Sequence, residues 1–169
     1  DKIISLNAGD TVLITGTIYA ARDAAHKRIV ESIEKKEALP FDLKNQFIYY
    51  AGPTPAPKGM PIGSCGPTTS SRMDAYTIPL LEKGLKGMIG KGKRSDAVIE
   101  AIKKFKAVYF IAVGGAAALL ATKVKKAKVI AYPELGTEAV HELEVKNFPV
   151  IVAIDCKGGN IFKHRKMKG

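Results

Sequence analysis

The sequence predicts an α/β fold with a central, mostly parallel sheet, and three observations predict it. Runs of β-favouring residues alternate with stretches of helical periodicity. The most apolar run, residues 107–113, has no polar face, as in a strand covered on both sides. Two short apolar runs near the start flank the turn Asn7-Ala8-Gly9-Asp10, which suits a hairpin and an additional small β layer.

The elements follow in order. Residues 3–6 and 11–19 are the hairpin strands. Residues 21–37 turn helical, with Ala25, Ile29 and Ile33 on one ladder and charged residues opposite. Residues 47–51 make a short strand after the break at Leu39-Pro40. Alternate prolines at 53, 55 and 57 then hold an extended path, a semi-rigid loop leading to a loop at 63–74 rich in glycine and hydroxyls. A helix starts at Asp74. Residues 87–90 end a strand at the turn Gly90-Lys91-Gly92, Ser95 caps the next helix, and residues 96–105 carry Val98, Ala101, Ile102 and Phe105 on one side. The buried strand 107–113 follows, then a small-residue helix opened by Gly114-Gly115. A strand at 128–132, an edge strand at 140–145 and a last buried strand at 149–155 complete the chain.

At 169 residues, 46% of them hydrophobic, the chain fits one domain with a substantial core, residues 1–169, ending in a frayed basic tail at 163–169. No apolar run is long enough to span a membrane and no secretory pattern opens the sequence, so a cytoplasmic location is expected, with no membrane partner. Cys65 and Cys156 are the only cysteines and stand far apart, which excludes a zinc site or a four-cysteine cluster built from this chain alone. A net charge of +11 raises nucleic acid as a partner, but the lysines are scattered and no RNA-binding aromatic signature accompanies them; a solvated basic surface is the reading preferred here.

Chemistry concentrates in the 63–74 loop. It feeds a helix N-terminus, where backbone N–H groups and the dipole favour an anion, and Arg72 at the junction offers a planar fork for a carboxylate or phosphate. Arg22 and Lys91 also sit on turns before helices, and in an open α/β sheet such turns gather at the carboxyl ends of the strands. Three converging cations would suit a small dianion. For Arg22 the alternative is a surface salt bridge to Asp23 or Glu31; for His26, one turn on, it is an ordinary helix position. Thr68 could move a proton if cations and amides stabilise its alkoxide. Other motifs fail. Lys91 lacks the glycine and hydroxyl neighbours of a Walker A loop, and Cys65 and Arg72 stand one residue too far apart for a phosphatase cysteine loop, which leaves Cys65 as a small packed residue.

The run Gly66-Pro67-Thr68-Thr69-Ser70-Ser71-Arg72-Met73-Asp74, with Ala21-Arg22-Asp23-Ala24-Ala25-His26 upstream and Gly90-Lys91-Gly92 downstream, resembles the beta component of the iron-sulfur (class I) fumarases and L-tartrate dehydratases. The likeness extends over roughly residues 16–161, with the family's loop more often reading Ala-Gly at Ser70-Ser71 and often asparagine at Lys93. The resemblance implies a swivelling β/β/α domain and a hydro-lyase that adds water reversibly to fumarate, giving malate, or dehydrates tartrate. It implies Thr68 as the proton-transfer group, with Arg22, Arg72, Lys91 and Thr69 binding substrate and His26 and Asp74 as second-line residues. No metal or cofactor is expected on this chain: a four-iron iron-sulfur cluster would lie in a partner alpha subunit, giving a hetero-oligomer, with pairing of beta chains a further option. The rival from another class is a non-catalytic module that binds anions or nucleic acid.

Overall fold

A computed structural model describes residues 2–112 and 117–163. Its strands are β1 (Thr11–Ala20), β2 (Phe47–Tyr49), β3 (Gly87–Gly90), β4 (Val108–Ala112), β5 (Val124–Ala131) and β6 (Val140–Ile154); its α-helices are α1 (Lys2–Ser5), α2 (Asp23–Glu34), α3 (Asp74–Glu82), α4 (Asp96–Phe105) and α5 (Ala117–Ala121). A 3₁₀ turn, Ser70–Met73, leads directly into α3. None of these helices is long and apolar enough to cross a membrane.

β1 through β4 run parallel in sequence order, and β6 lies antiparallel to β4, β5 and β1. Because β6 pairs with β1 as well as with β4, the strands β1, β2, β3, β4 and β6 close into a ring, and β5 extends it as an edge. The period-2 alternation of strand side chains then makes two cores. Ile18, Ala20, Tyr49, Ile89, Phe110, Leu143, Val150 and Val152 fill the inside of the ring. Tyr19, Ile48, Tyr50, Met88 and Tyr109 point outward and are covered by Ala25 and Ile29 of α2, Leu80 and Leu81 of α3, and Val98 and Ile102 of α4. These three helices keep their apolar residues on the parallel strands, as their apolar ladders suggest.

Two expectations are corrected. The N-terminal hairpin does not form: Lys2–Ser5 is a helical turn, because the ladder beside β1 belongs to β6, from Thr11↔Ile151 to Ala20↔His141. Gly9 N–H donates to the Val152 carbonyl at 2.8 Å, and Val152 N–H donates back to that of Asp10, so the turn at 7–10 is docked on β6. Residues 140–145 are also no edge strand. They form one strand with 149–154 and lie between β1 and β5. The polar Lys146-Asn147 step that suggests a break is a bend within the strand: Asn147 has φ 54°, its N–H donates to Thr15 Oγ1 at 3.0 Å, and the β1 register shifts between Ile14 and Gly16. The additional β layer is therefore one continuous sheet with the rest. The helix start at Gly114-Gly115 and residues 164–169 of the basic tail lie outside the described residues.

Edge strand β5 exposes Lys125, Lys126 and Lys128. Lysines on an edge discourage strand addition by another chain, which gives part of the high positive charge a structural purpose.

Candidate active site

The parallel strands β1, β2 and β3 are neighbours, so their carboxyl ends form one rim, and the residues that leave these ends are the ones singled out by sequence. Arg22 is the N-cap of α2, two residues after β1, at φ −118°. Thr68 is tied to the end of β2 by its N–H, which donates to the Tyr50 carbonyl at 2.7 Å. Lys91 follows β3 and forms an isolated parallel bridge with Thr69, and Ser70 N–H donates to the Lys91 carbonyl at 2.9 Å. The threonine loop thus lies across the ends of β2 and β3 and touches the lysine turn directly. Two glycines permit this approach. A side chain at Gly90 would strike Ser70 Oγ and the Tyr50 ring, and Gly92 holds φ +86°, a left-handed conformation that a larger residue adopts at a cost.

The three cations are in different states. Arg72 is exposed and makes a two-point bond to Asp23, Nε to Oδ2 at 3.2 Å and Nη2 to Oδ1 at 2.9 Å. The salt bridge weighed for Arg22 is thus made by Arg72 instead. Arg22 makes no ion pair among the described residues; it lies over Gly52, where a Cβ would come within 2.8 Å of its Cδ, and its Nε is buried without a partner. Lys91 is exposed and also has no ion pair among the described residues. Thr69 is exposed and Thr68 half-buried beside it.

His26 is fully enclosed. Its Nδ1–H donates to the Arg22 carbonyl at 2.7 Å, and its Nε2 has no partner. Burial lowers its pKa to about 4, with the bond to Arg22 opposing the shift and the Arg94 guanidinium adding to it. The ring is neutral at pH 7 and braces the backbone of the α2 N-cap. Asp74 is also committed: Oδ1 accepts from Arg94 Nε at 2.7 Å and Oδ2 from Ser95 N–H at 2.8 Å, which joins the starts of α3 and α4.

Beneath the rim lies a polar network that local pattern does not reveal. The Arg94 side chain is wholly buried, with Nη2 donating to Thr77 Oγ1 at 2.9 Å and to Tyr50 Oη at 3.2 Å, and its guanidinium carbon 4.8 Å from the centre of the Tyr109 ring. Burial opposes the charge on Arg94, but Tyr50, Asp74 and Tyr109 outweigh it and raise its pKa. In sequence Arg94 is one more basic residue in a lysine-rich turn. Its only local signal is its place beside the Ser95 cap, because burial is decided by α3 and β4 together.

The donors present do not suit an iron-sulfur cluster. Among the described residues no three His, Cys, Asp or Glu side chains are grouped for a metal. Cys65 is buried, its thiol pushed up to about 12 by desolvation, and its carbonyl accepts the Tyr49 hydroxyl at 2.6 Å. That is the environment of a packed thiol rather than a metal ligand or a phosphatase nucleophile.

A family model described as Fumarase C-terminus matches residues 1–165. The anaerobic class I fumarate hydratase of Escherichia coli is 44% identical over 153 residues, covering 89% of this chain and 28% of its own length. The putative L(+)-tartrate dehydratase subunit beta of Methanocaldococcus jannaschii is 40% identical over 169 residues, covering 96% of this chain and 87% of that protein. The L(+)-tartrate dehydratase subunit beta of E. coli is 37% identical, with 98% and 84% covered. The chain therefore spans about 28% of the fumarate hydratase's length and most of each tartrate dehydratase beta subunit.

Proposed function

Since this chain belongs to the fumarase C-terminus family, we propose that it is the beta component of a two-component hydro-lyase that interconverts fumarate and malate, with tartrate dehydration as the second reading. The observation that carries the proposal is the common rim of β1, β2 and β3, from which Arg22, the Thr68 loop and Lys91 all depart. A dicarboxylate lying along that rim would meet a guanidinium at one end, an ammonium at the other and a hydroxyl between.

In this reading Arg22 and Lys91 hold the carboxylates, and Thr69 adds a hydroxyl contact. Arg22 suits that role because its buried Nε–H still lacks an acceptor. Arg72 both orders the loop through Asp23 and lends positive charge to Thr68. The Thr68 hydroxyl moves the proton at the carbon next to a carboxylate, its alkoxide stabilised by the neighbouring cations and loop amides. His26 and Asp74 act through structure: one holds the Arg22 backbone, the other holds Arg94. An iron-sulfur cluster, if the enzyme uses one, belongs to an alpha partner, since the donors here do not fit it, and the active assembly is a hetero-oligomer. The same reading assigns the closed strand ring with its one-sided helix layer to the swivelling β/β/α type.

The test is reconstitution with the cognate alpha chain under anaerobic conditions. Turnover of fumarate or tartrate is expected, and Thr68→Ala should lower kcat by about 100-fold or more while KM changes little, as for a group acting in the transition state. Absence of turnover with every small dicarboxylate tried would overturn the proposal; equal kcat for Thr68→Ala would remove the threonine from it.

A further inference from the structure

Two loops must keep a fixed spacing if Thr68 and Lys91 are to act on one substrate, and a single phenol links them. Tyr109 projects from β4 on the helix side of the sheet, and its Oη lies 2.7 Å from Ser70 Oγ and 2.8 Å from the Gly92 carbonyl oxygen. A carbonyl only accepts, and a phenol has one proton. Tyr109 must therefore donate to Gly92, and the Ser70 hydroxyl must donate to Tyr109. The two bonds run in a directed chain from the threonine loop to the lysine turn. Ser70 and Tyr109 are fully buried, so the bond between them is shielded from water, while the bond to the Gly92 carbonyl reaches an exposed turn and is part-buried.

The phenol is itself held. The Arg94 guanidinium packs on its ring, and Arg94 is anchored by Asp74, which immediately follows the Ser70–Met73 turn. Apart from this chain, the loop meets the turn through the Thr69–Lys91 bridge with its Ser70 N–H bond and the contact of Ser70 with Gly90, and Asp74 at the loop's end bonds Arg94 and Ser95 just beyond the turn. The Ser70 bond holds Lys91 and the Asp74 bonds hold residues 94 and 95; the link through Gly92 fixes the stretch between them.

We propose that Tyr109 is a positioning residue of the site: its hydroxyl sets the spacing between the Thr68 loop and the Lys91 turn, with Arg94 as its buried anchor. This rests on the reading that both loops serve one substrate. Tyr109→Phe keeps the ring, its packing on Arg94 and the strand, and removes only the two bonds. In the reconstituted enzyme kcat should fall at least about tenfold with KM changed by less than about threefold, since misplacement of a reacting group is costly and loss of uniform binding is not involved. Ser70→Ala should show a smaller loss, and the double variant should be no worse than Tyr109→Phe alone, because the Ser70 hydroxyl acts only through the phenol.

A second readout needs no activity. In the isolated chain, hydrogen exchange of the Ser70 amide, which is bonded to Lys91, should speed up at least about tenfold in Tyr109→Phe, while the amides of Leu143 and Val152 in the ring core keep wild-type protection. Wild-type kcat in Tyr109→Phe, additive losses in the double variant, or unchanged Ser70 exchange would each overturn the positioning role. A wild-type chain without turnover, combined with faster Ser70 exchange in the variant, would instead overturn the hydro-lyase reading and leave the loop linkage standing.

Discussion

Arg72 and His26 show how similar-looking polar residues divide their work. The Arg72–Asp23 pair is about half exposed on the arginine side, so it is worth less than about 1 kcal/mol to the fold. Arg72→Lys should therefore leave the urea midpoint within error while lowering kcat/KM for a dicarboxylate several-fold, because an ammonium cannot reproduce the two-point bond to Asp23 that orders the Thr68 loop. A parallel loss of stability would show that the pair is structural first. His26 behaves in the opposite way. Its folded pKa of about 4 lies below the unfolded value near 6.5, so the unfolded chain takes up the proton first as pH falls. Stability should be undiminished by this group above about pH 6.5 and should fall through the window down to about pH 4, by up to about 3 kcal/mol. Comparing wild type with His26→Gln by urea denaturation across that range reads the difference; parallel pH profiles would contradict the assignment.

At the scale of elements, α4 is the segment most legible in sequence. Ser95 accepts from Val98 N–H at 3.3 Å, residues 96–105 are helical as their apolar ladder indicates, and Lys106 closes the helix in a left-handed conformation. Ser95→Ala should cost about 1 kcal/mol, checked by the thermal midpoint. The N-terminal hairpin and the break in β6 that the sequence suggests both fail to form for one shared reason. Strand pairing depends on a partner distant in sequence, and residues 2–5 have apolar character without a ladder to join, whereas 140–154 have two neighbours that carry them through the polar step at Lys146-Asn147. The loop at 63–74, by contrast, was readable through its own turn chemistry.

Over the whole molecule, two segments far apart in sequence are joined through Asp155. Its carboxylate accepts from Ala8 N–H at 2.8 Å, Lys157 N–H at 2.9 Å and Gly159 N–H at 2.8 Å, so the N-terminal turn, the end of β6 and the following turn share one side chain. Burial pushes this carboxyl up, but the three amide donors and Lys157 outweigh it and hold its pKa below the ordinary range. The stability it contributes is present above the unfolded carboxyl pKa of about 4 and is lost as pH falls through the lower folded value. Asp155→Asn should lower stability at neutral pH by about 1–3 kcal/mol and flatten the acid limb of the pH–stability curve. An unchanged acid limb would remove Asp155 as its cause.

Local pattern by itself determined the α/β class, the helices α3 and α4 and the cap at Ser95, because periodicity and turn chemistry are carried by neighbouring residues. Only the tertiary structure decided that β6 closes the sheet into a ring, that Asp23 engages Arg72 while Arg22 stays without an ion pair, and that Arg94 and Tyr109 lie buried beneath the rim. Those outcomes depend on which distant segments become neighbours and on how much water they exclude, and a residue's environment of that kind is a property of the packed chain.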